Sequence, residues 1–146
     1  TKGREAILDS SIKAKLGDNQ TNLKGAVLLV SVGANRNRSD RLRVSSDGKG
    51  AGQINTSSTS KKGILNLRLG TLVIGTVSGG ENGKPLKVVF NANAAAADLQ
   101  HVLRLITFRT AVETTVYGLR TITYNFTDAL LNPSNQATKQ VNVVRP

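Results

Sequence analysis

Several segments of this chain alternate apolar and polar residues at the period of two that a β-strand imposes. Only one stretch shows apolar residues at helical spacing. Leu86, Val88 and Phe90 alternate with Lys87 and Val89, and then Asn91, Asn93 and the alanines from Ala94 to Ala97 break the period. Behind Asp98, the residues Leu99, Val102, Leu103 and Ile106 predict a short amphipathic helix over about residues 95–106. From Leu119 to Asp128 alternation returns, with Leu119, Ile122, Tyr124 and Phe126 as candidate core residues. A parallel α/β fold needs several helical crossovers, so a single helix points to antiparallel sheets.

Turn chemistry separates the other segments. Ala6–Leu8 and Ile12–Leu16 read as a first edge strand broken by Asp9-Ser-Ser11, with a turn cluster over Gly17–Asn22. The apolar run Ala26–Val32 suits a strand in the middle of a sheet, and Arg41-Leu-Arg-Val44 alternates charge with apolar residues. Asp47-Gly48 and Asn82-Gly83 are hairpin signals. Thr56–Lys62 reads as an exposed loop, while Gly63–Leu69 and Thr71–Val77 flank a turn at Gly70. Pro85 falls at a strand start, where a missing N–H is tolerated. Pro133 is expected in the loop before a last strand, Gln136–Val144. About nine strand-like segments divided this way predict an all-β antiparallel sandwich with one inserted helix, one domain spanning residues 1–146.

Composition narrows the function classes. With three Phe, two Tyr and no Trp, the core has to come from Val, Leu, Ile and Ala. The absence of Cys excludes disulfides, thiolate zinc sites and cysteine nucleophiles. No apolar run approaches the ~18 residues of a membrane-spanning helix. The start at Thr1, without Met, suggests a piece or processed form of a longer protein. Twenty Lys and Arg against nine Asp and Glu give a net charge of +11, which favours polyanionic neighbours such as acidic polysaccharide, lipopolysaccharide phosphate or nucleic acid. The basic residues form two sequence clusters: Arg36, Arg38, Arg41 and Arg43, then Lys61, Lys62 and Arg68. No aromatic residues interleave with them for base stacking, so a phosphate or sulfate backbone, a sugar acid or an acidic protein surface fits better than specific nucleic-acid binding.

Catalytic motifs are sparse. His101, the single histidine, lies three residues after Asp98 on the expected helix, a spacing that places both on one side. No serine stands in a Gly-x-Ser-x-Gly elbow, and Asp98 near a helix N-terminus is accounted for by the dipole. Gly48-Lys-Gly-Ala-Gly52 looks like a phosphate-binding loop, yet Gln53-Ile54-Asn55 follows where a helix-opening Lys-Ser/Thr would be needed. Asn19, Asn37, Asn55 and Asn125 begin Asn-x-Ser/Thr sequons, which arise readily in a chain rich in these residues. The expectation is a protein without catalysis.

Several segments, in order, carry a family likeness: Ser39–Val44, Gly48–Ile54, Ile74–Gly80, Pro85–Ala92, Asp98–Phe108 and Gly118–Asp128. Over about residues 26–144 the chain resembles the cadherin-like or immunoglobulin-like repeat found in tandem in very large bacterial surface and secreted proteins. The resemblance implies an extracellular structural or adhesive module that works beside neighbouring copies or repeats, with acidic glycan as a further partner. Repeats of this kind commonly carry an Asp-x-Asp run near the first strand and an Asp-Gly-Asp-Gly turn after a late strand, and bind calcium there. This chain departs at both places, keeping Asp18 in Leu16-Gly-Asp-Asn-Gln20 and Asp128 in Thr127-Asp-Ala-Leu-Leu-Asn-Pro133. If calcium binds, Asp9, Asp18 and Asp128 are the ligands expected, few for an ion that takes six to eight oxygens.

Overall fold

The computed structural model describes residues 6–7, 23–33, 36, 38–110, 118–127 and 133–143, with residues 6–7, 96, 118–119 and 133–143 described by backbone alone. In chain order the elements are β1 (Ala6–Ile7), β2 (Val27–Val32), β3 (Arg41–Val44), β4 (Ile54–Ser58), β5 (Ile64–Leu69), β6 (Leu72–Gly79), β7 (Leu86–Phe90), α1 (Ala96–Arg104), β8 (Ile106–Arg109), β9 (Gly118–Thr127) and β10 (Pro133–Val143). They form two antiparallel sheets, a seven-stranded one in the order β10-β9-β2-β7-β6-β5-β4 and a three-stranded one in the order β1-β8-β3. The fold is an all-β sandwich with one inserted helix.

Burial follows the alternation read in the sequence. Leu28, Val30 and Val32 of β2, Leu86, Val88 and Phe90 of β7, and Ile122, Tyr124 and Phe126 of β9 are buried, facing Leu42 and Val44 of β3 and Ile106 and Phe108 of β8 in one core cluster. Helix α1 adds Leu99, Val102 and Leu103 to this core. Its N-terminus has no side-chain cap from Ala95, and Asp98 compensates by accepting the Ala95 N–H at 2.8 Å. Ile106, in phase with the helical stripe, already belongs to β8, because the chain turns at Leu105, whose N–H reaches the Val102 carbonyl at 2.9 Å.

The Asn82-Gly83 signal is realised as a type I′ turn between β6 and β7. Asn82 and Gly83 have φ of 55° and 74°, and the Lys84 N–H donates to the Glu81 carbonyl at 2.9 Å. The hairpin tip also joins the two sheets. Gly80, at φ 84°, accepts the Leu42 N–H at 2.8 Å, and the Gly83 N–H donates to the Asp40 carbonyl at 2.8 Å. A Cβ on Gly80 would collide with the Leu42 carbonyl oxygen.

Three local expectations are corrected. Asp47-Gly48 does not close a hairpin, since β3 and β4 lie in different sheets. Asp47 instead accepts the Ile54 N–H on Oδ1 at 2.6 Å and donates its own N–H to the Ile54 carbonyl at 3.0 Å, so it substitutes for a neighbouring strand where the chain arches across. The stretch read as a loop from Thr56 to Lys62 begins as strand: Thr56, Ser57 and Ser58 belong to the edge strand β4 and pair with Leu67, Asn66 and Leu65. Backbone pairing at an edge needs no apolar alternation, so this strand leaves a weak sequence signal. Pro133 starts β10 opposite Thr127, with a register irregularity before Asn135 that accommodates its missing N–H. Ile12–Leu16 and Gly17–Asn22 lie outside the described residues.

Candidate anion-binding face

Strands β3 and β8 pair with Arg41 opposite Arg109, Leu42 opposite Phe108, Arg43 opposite Thr107 and Val44 opposite Ile106. The apolar pairs point into the sandwich and are buried, so the pleat directs Arg41 and Arg109 together to the outer face. Directly opposed residues have Cβ atoms roughly 4.5–5.5 Å apart, and like charges held there repel. Arg38 and Ser39, in the turn that enters β3, frame a shallow cavity of about 160 Å³ together with Arg41 and Arg109. The Ser39 and Thr110 hydroxyls lie 2.9 Å apart and fasten the base of this cavity. Among the described residues, the carboxylate of Glu81, from the β6–β7 hairpin, contacts Arg41 Nε at 3.1 Å. With side-chain exposures of 47% and 57%, that pair contributes little stability and leaves the face basic.

Beneath this face lies an ion pair without solvent access. Arg120 of β9 donates from Nε to Asp40 Oδ2 at 2.9 Å and from Nη2 to Asp40 Oδ1 at 3.3 Å, and both side chains are fully buried. This fork fixes the segment between Arg38 and Arg41 to the larger sheet. Sequence reasoning missed it, although the signal was present. Arg120 shares the phase of Ile122, Tyr124 and Phe126, and Asp40 shares the phase of Leu42 and Val44, so a period of two puts both charges on core faces. Leu119, read as a core candidate, has the opposite phase, and its side chain is outside the description.

The expected basic residues divide. Arg38 and Arg41 lie at the cavity, Arg43 is exposed one step further along the same strand face, and Arg36 is exposed before the strand. Lys61 and Lys62 are exposed at the tip joining β4 to β5, on the same end of the large sheet as the Glu81 hairpin. Arg68 lies toward the other end of β5, with Nη2 donating to the Thr71 carbonyl at 3.1 Å. From Ile64 to Arg68 the strand rise alone is roughly 13 Å, so Arg68 is not grouped with the two lysines. Arg109 joins the face unannounced: its own segment carries no basic run, and only the register with β3 brings it opposite Arg41.

His101 does not pair with Asp98, which is occupied at its own helix start. Its Nε2 lies 2.7 Å from Asp47 Oδ2 and links α1 to the arch between β3 and β4. Burial is the largest single influence on the Asp47 carboxyl and pushes it up. The hydrogen bond and charge of His101, with the Ile54 N–H, outweigh it and hold the group below the ordinary carboxylate range. The neighbouring hydroxyls of Ser45 and Ser46 donate to the carbonyls of Leu105 and Ile54, at 3.0 and 3.3 Å. The glycine loop after Asp47 is likewise satisfied internally, with the Gly50 N–H donating to Gln53 Oε1 at 2.9 Å.

Asp9, Asp18 and Asp128 lie outside the described residues. Among the described residues, no three carboxylate or histidine groups gather as a metal site, and no helix is long and apolar enough to cross a membrane. No protein-family profile, characterised protein or solved structure matches this chain.

Proposed function

We propose that this chain is a non-catalytic structural and adhesive module of an extracellular bacterial surface protein, and that it adheres by gripping an acidic polymer on the face of its smaller sheet. One observation carries the reading: the register of β3 against β8 holds Arg41 opposite Arg109, with Arg38 closing the same cavity. Such an arrangement works against folding, since like charges directly opposed across a sheet destabilise it. An anionic group seated between the guanidiniums removes that repulsion and receives several fork-shaped donors. A polymer bearing carboxylates or sulfates would engage the cavity and extend along the strand toward Arg43. The net charge of +11 would steer it there.

Isothermal titration with a size-fractionated heparin octasaccharide tests the proposal. Binding is expected to weaken as salt rises and to be lost in Arg41→Glu/Arg109→Glu, with the thermal midpoint retained. Equal affinity of that variant and the parent would reject the face.

A second reading, self-assembly through edge strands, is supported by the positions of β1 and β10, each at the end of its sheet. An extended edge offers backbone groups to another copy. Light scattering at high concentration tests it, and a strict monomer would remove the assembly reading.

A further inference from the structure

We infer that the sandwich has a second binding site, a groove beside β3 that takes an extended acidic peptide segment of a partner protein as an added strand. Ile54, Leu67 and Ile74 on the inner face of β4, β5 and β6 are buried, but toward the β4–β5 tip the same face is left open beside β3. The result is a groove of about 580 Å³, floored by Leu65, Val77 and Leu86. That volume falls within the roughly 300–1,000 Å³ of ligand sites. Leu65 remains 38% exposed there, one of two large apolar side chains so exposed among the described residues.

The walls of the groove supply backbone partners. Ser45 donates its N–H to Leu105 on the β8 side, so the residues of the other parity, Leu42 and Val44, direct their N–H and C=O groups away from β8. Leu42 is already engaged with Gly80. Val44, which lines the groove, is the next position along that edge and offers one donor and one acceptor. Across the gap, Ile54 of β4 bonds outward to Asp47, so Thr56, of the same parity and also lining the groove, presents its backbone away from β5. A guest strand laid along Val44 would extend the small sheet and cover the apolar floor.

Charge selects the guest. Two charged residues line the groove, and one of them, Glu81, is engaged by Arg41 at 3.1 Å. The guest's outward side chains would stand beside the other, Arg43, an exposed residue of β3 at the groove mouth, while its inward ones would cover Leu65 and Val77. The fitting sequence alternates apolar residues with Asp or Glu. A second copy of this chain is a poor occupant, carrying 20 basic residues against nine acidic ones. The arginines of β3 discourage indiscriminate edge pairing and favour an acidic strand by the same charge.

The test is an NMR titration of the full chain with an octapeptide of alternating valine and glutamate. Three comparisons accompany it: the peptide N-methylated at alternate backbone nitrogens, a valine–lysine peptide, and the variants Leu65→Asp and Arg43→Glu. Saturable binding is expected, with shifts centred on Val44 and Leu65. N-methylation and Leu65→Asp should each weaken it at least tenfold, and Arg43→Glu should exchange the preference toward the lysine peptide. Undiminished binding of the N-methylated peptide would mean attraction by charge alone, the Arg38–Arg41–Arg109 face included, and would overturn the inference. So would full affinity in Leu65→Asp, or no saturable binding of the parent peptide.

Discussion

Asp40 and Arg120 have no access to water, so the charge of each must be compensated inside the protein, and the fork between them does this. Removing one leaves an uncompensated buried ion, a loss of about 3–5 kcal/mol, whereas replacing both with apolar residues of similar volume is often nearly neutral. Asp40→Ala should therefore lower the stability measured by urea unfolding by about that amount, and Asp40→Leu/Arg120→Met should recover most of it. Equal losses in the two variants would mean that the pair does not act as a unit. The pairing was legible in principle, because the alternation that marks Ile122, Tyr124 and Phe126 as core includes Arg120. What the sequence does not contain is which buried strand faces Asp40 from the other sheet. Asp47 supports a pH prediction. Its carboxyl is held below its unfolded value, so the stability it contributes is fully present above about pH 4 and is lost as the pH falls through the lower, folded value. The urea midpoint of the parent should exceed that of Asp47→Asn at neutral pH, and the gap should close in acid. A gap that widened below pH 4 would contradict the assignment.

At the scale of elements, the β6–β7 hairpin both closes a strand pair and covers part of the edge of β3. Gly80→Ala places a Cβ against the Leu42 carbonyl and puts a non-glycine residue at φ 84°. The expected loss is about 1–3 kcal/mol, with amide exchange accelerated at Leu42 and Gly83 before the rest of the sandwich opens. Exchange rising uniformly across both sheets would argue against a local role for the tip. Of the two hairpin signals in the chain, Asn82-Gly83 was read correctly because strands that pair with each other flank it. Asp47-Gly48 was misread because the same dipeptide also serves an arch between sheets, and only tertiary placement separates the two cases. The helix was legible from its apolar spacing; its end at Arg104 was less so, because Ile106 continues the helical stripe while belonging to β8.

For the whole molecule, the alternation and the single helix suffice to reach a sandwich, because antiparallel sheets are the arrangement that buries those stripes with so few crossovers. Strand order is a different matter. The seven-to-three division of the sheets, which leaves the floor of the groove open beside β3, depends on which edges meet and not on any local pattern. The candidate anion-binding face has the same character: Arg38 and Arg41 could be read from a basic run, while Arg109 arrives through register alone. A sequence cluster that looked equivalent, Lys61, Lys62 and Arg68, is divided along β5. The proposed function therefore depends on a placed set of arginines and not on bulk positive charge. A charge-matched comparison on a heparin column tests this most directly, with Arg41→Glu/Arg109→Glu run beside Lys49→Glu/Arg68→Glu at equal net charge. The first variant should elute at much lower salt than the parent, and the second should shift only slightly; equal shifts in both would contradict the claim.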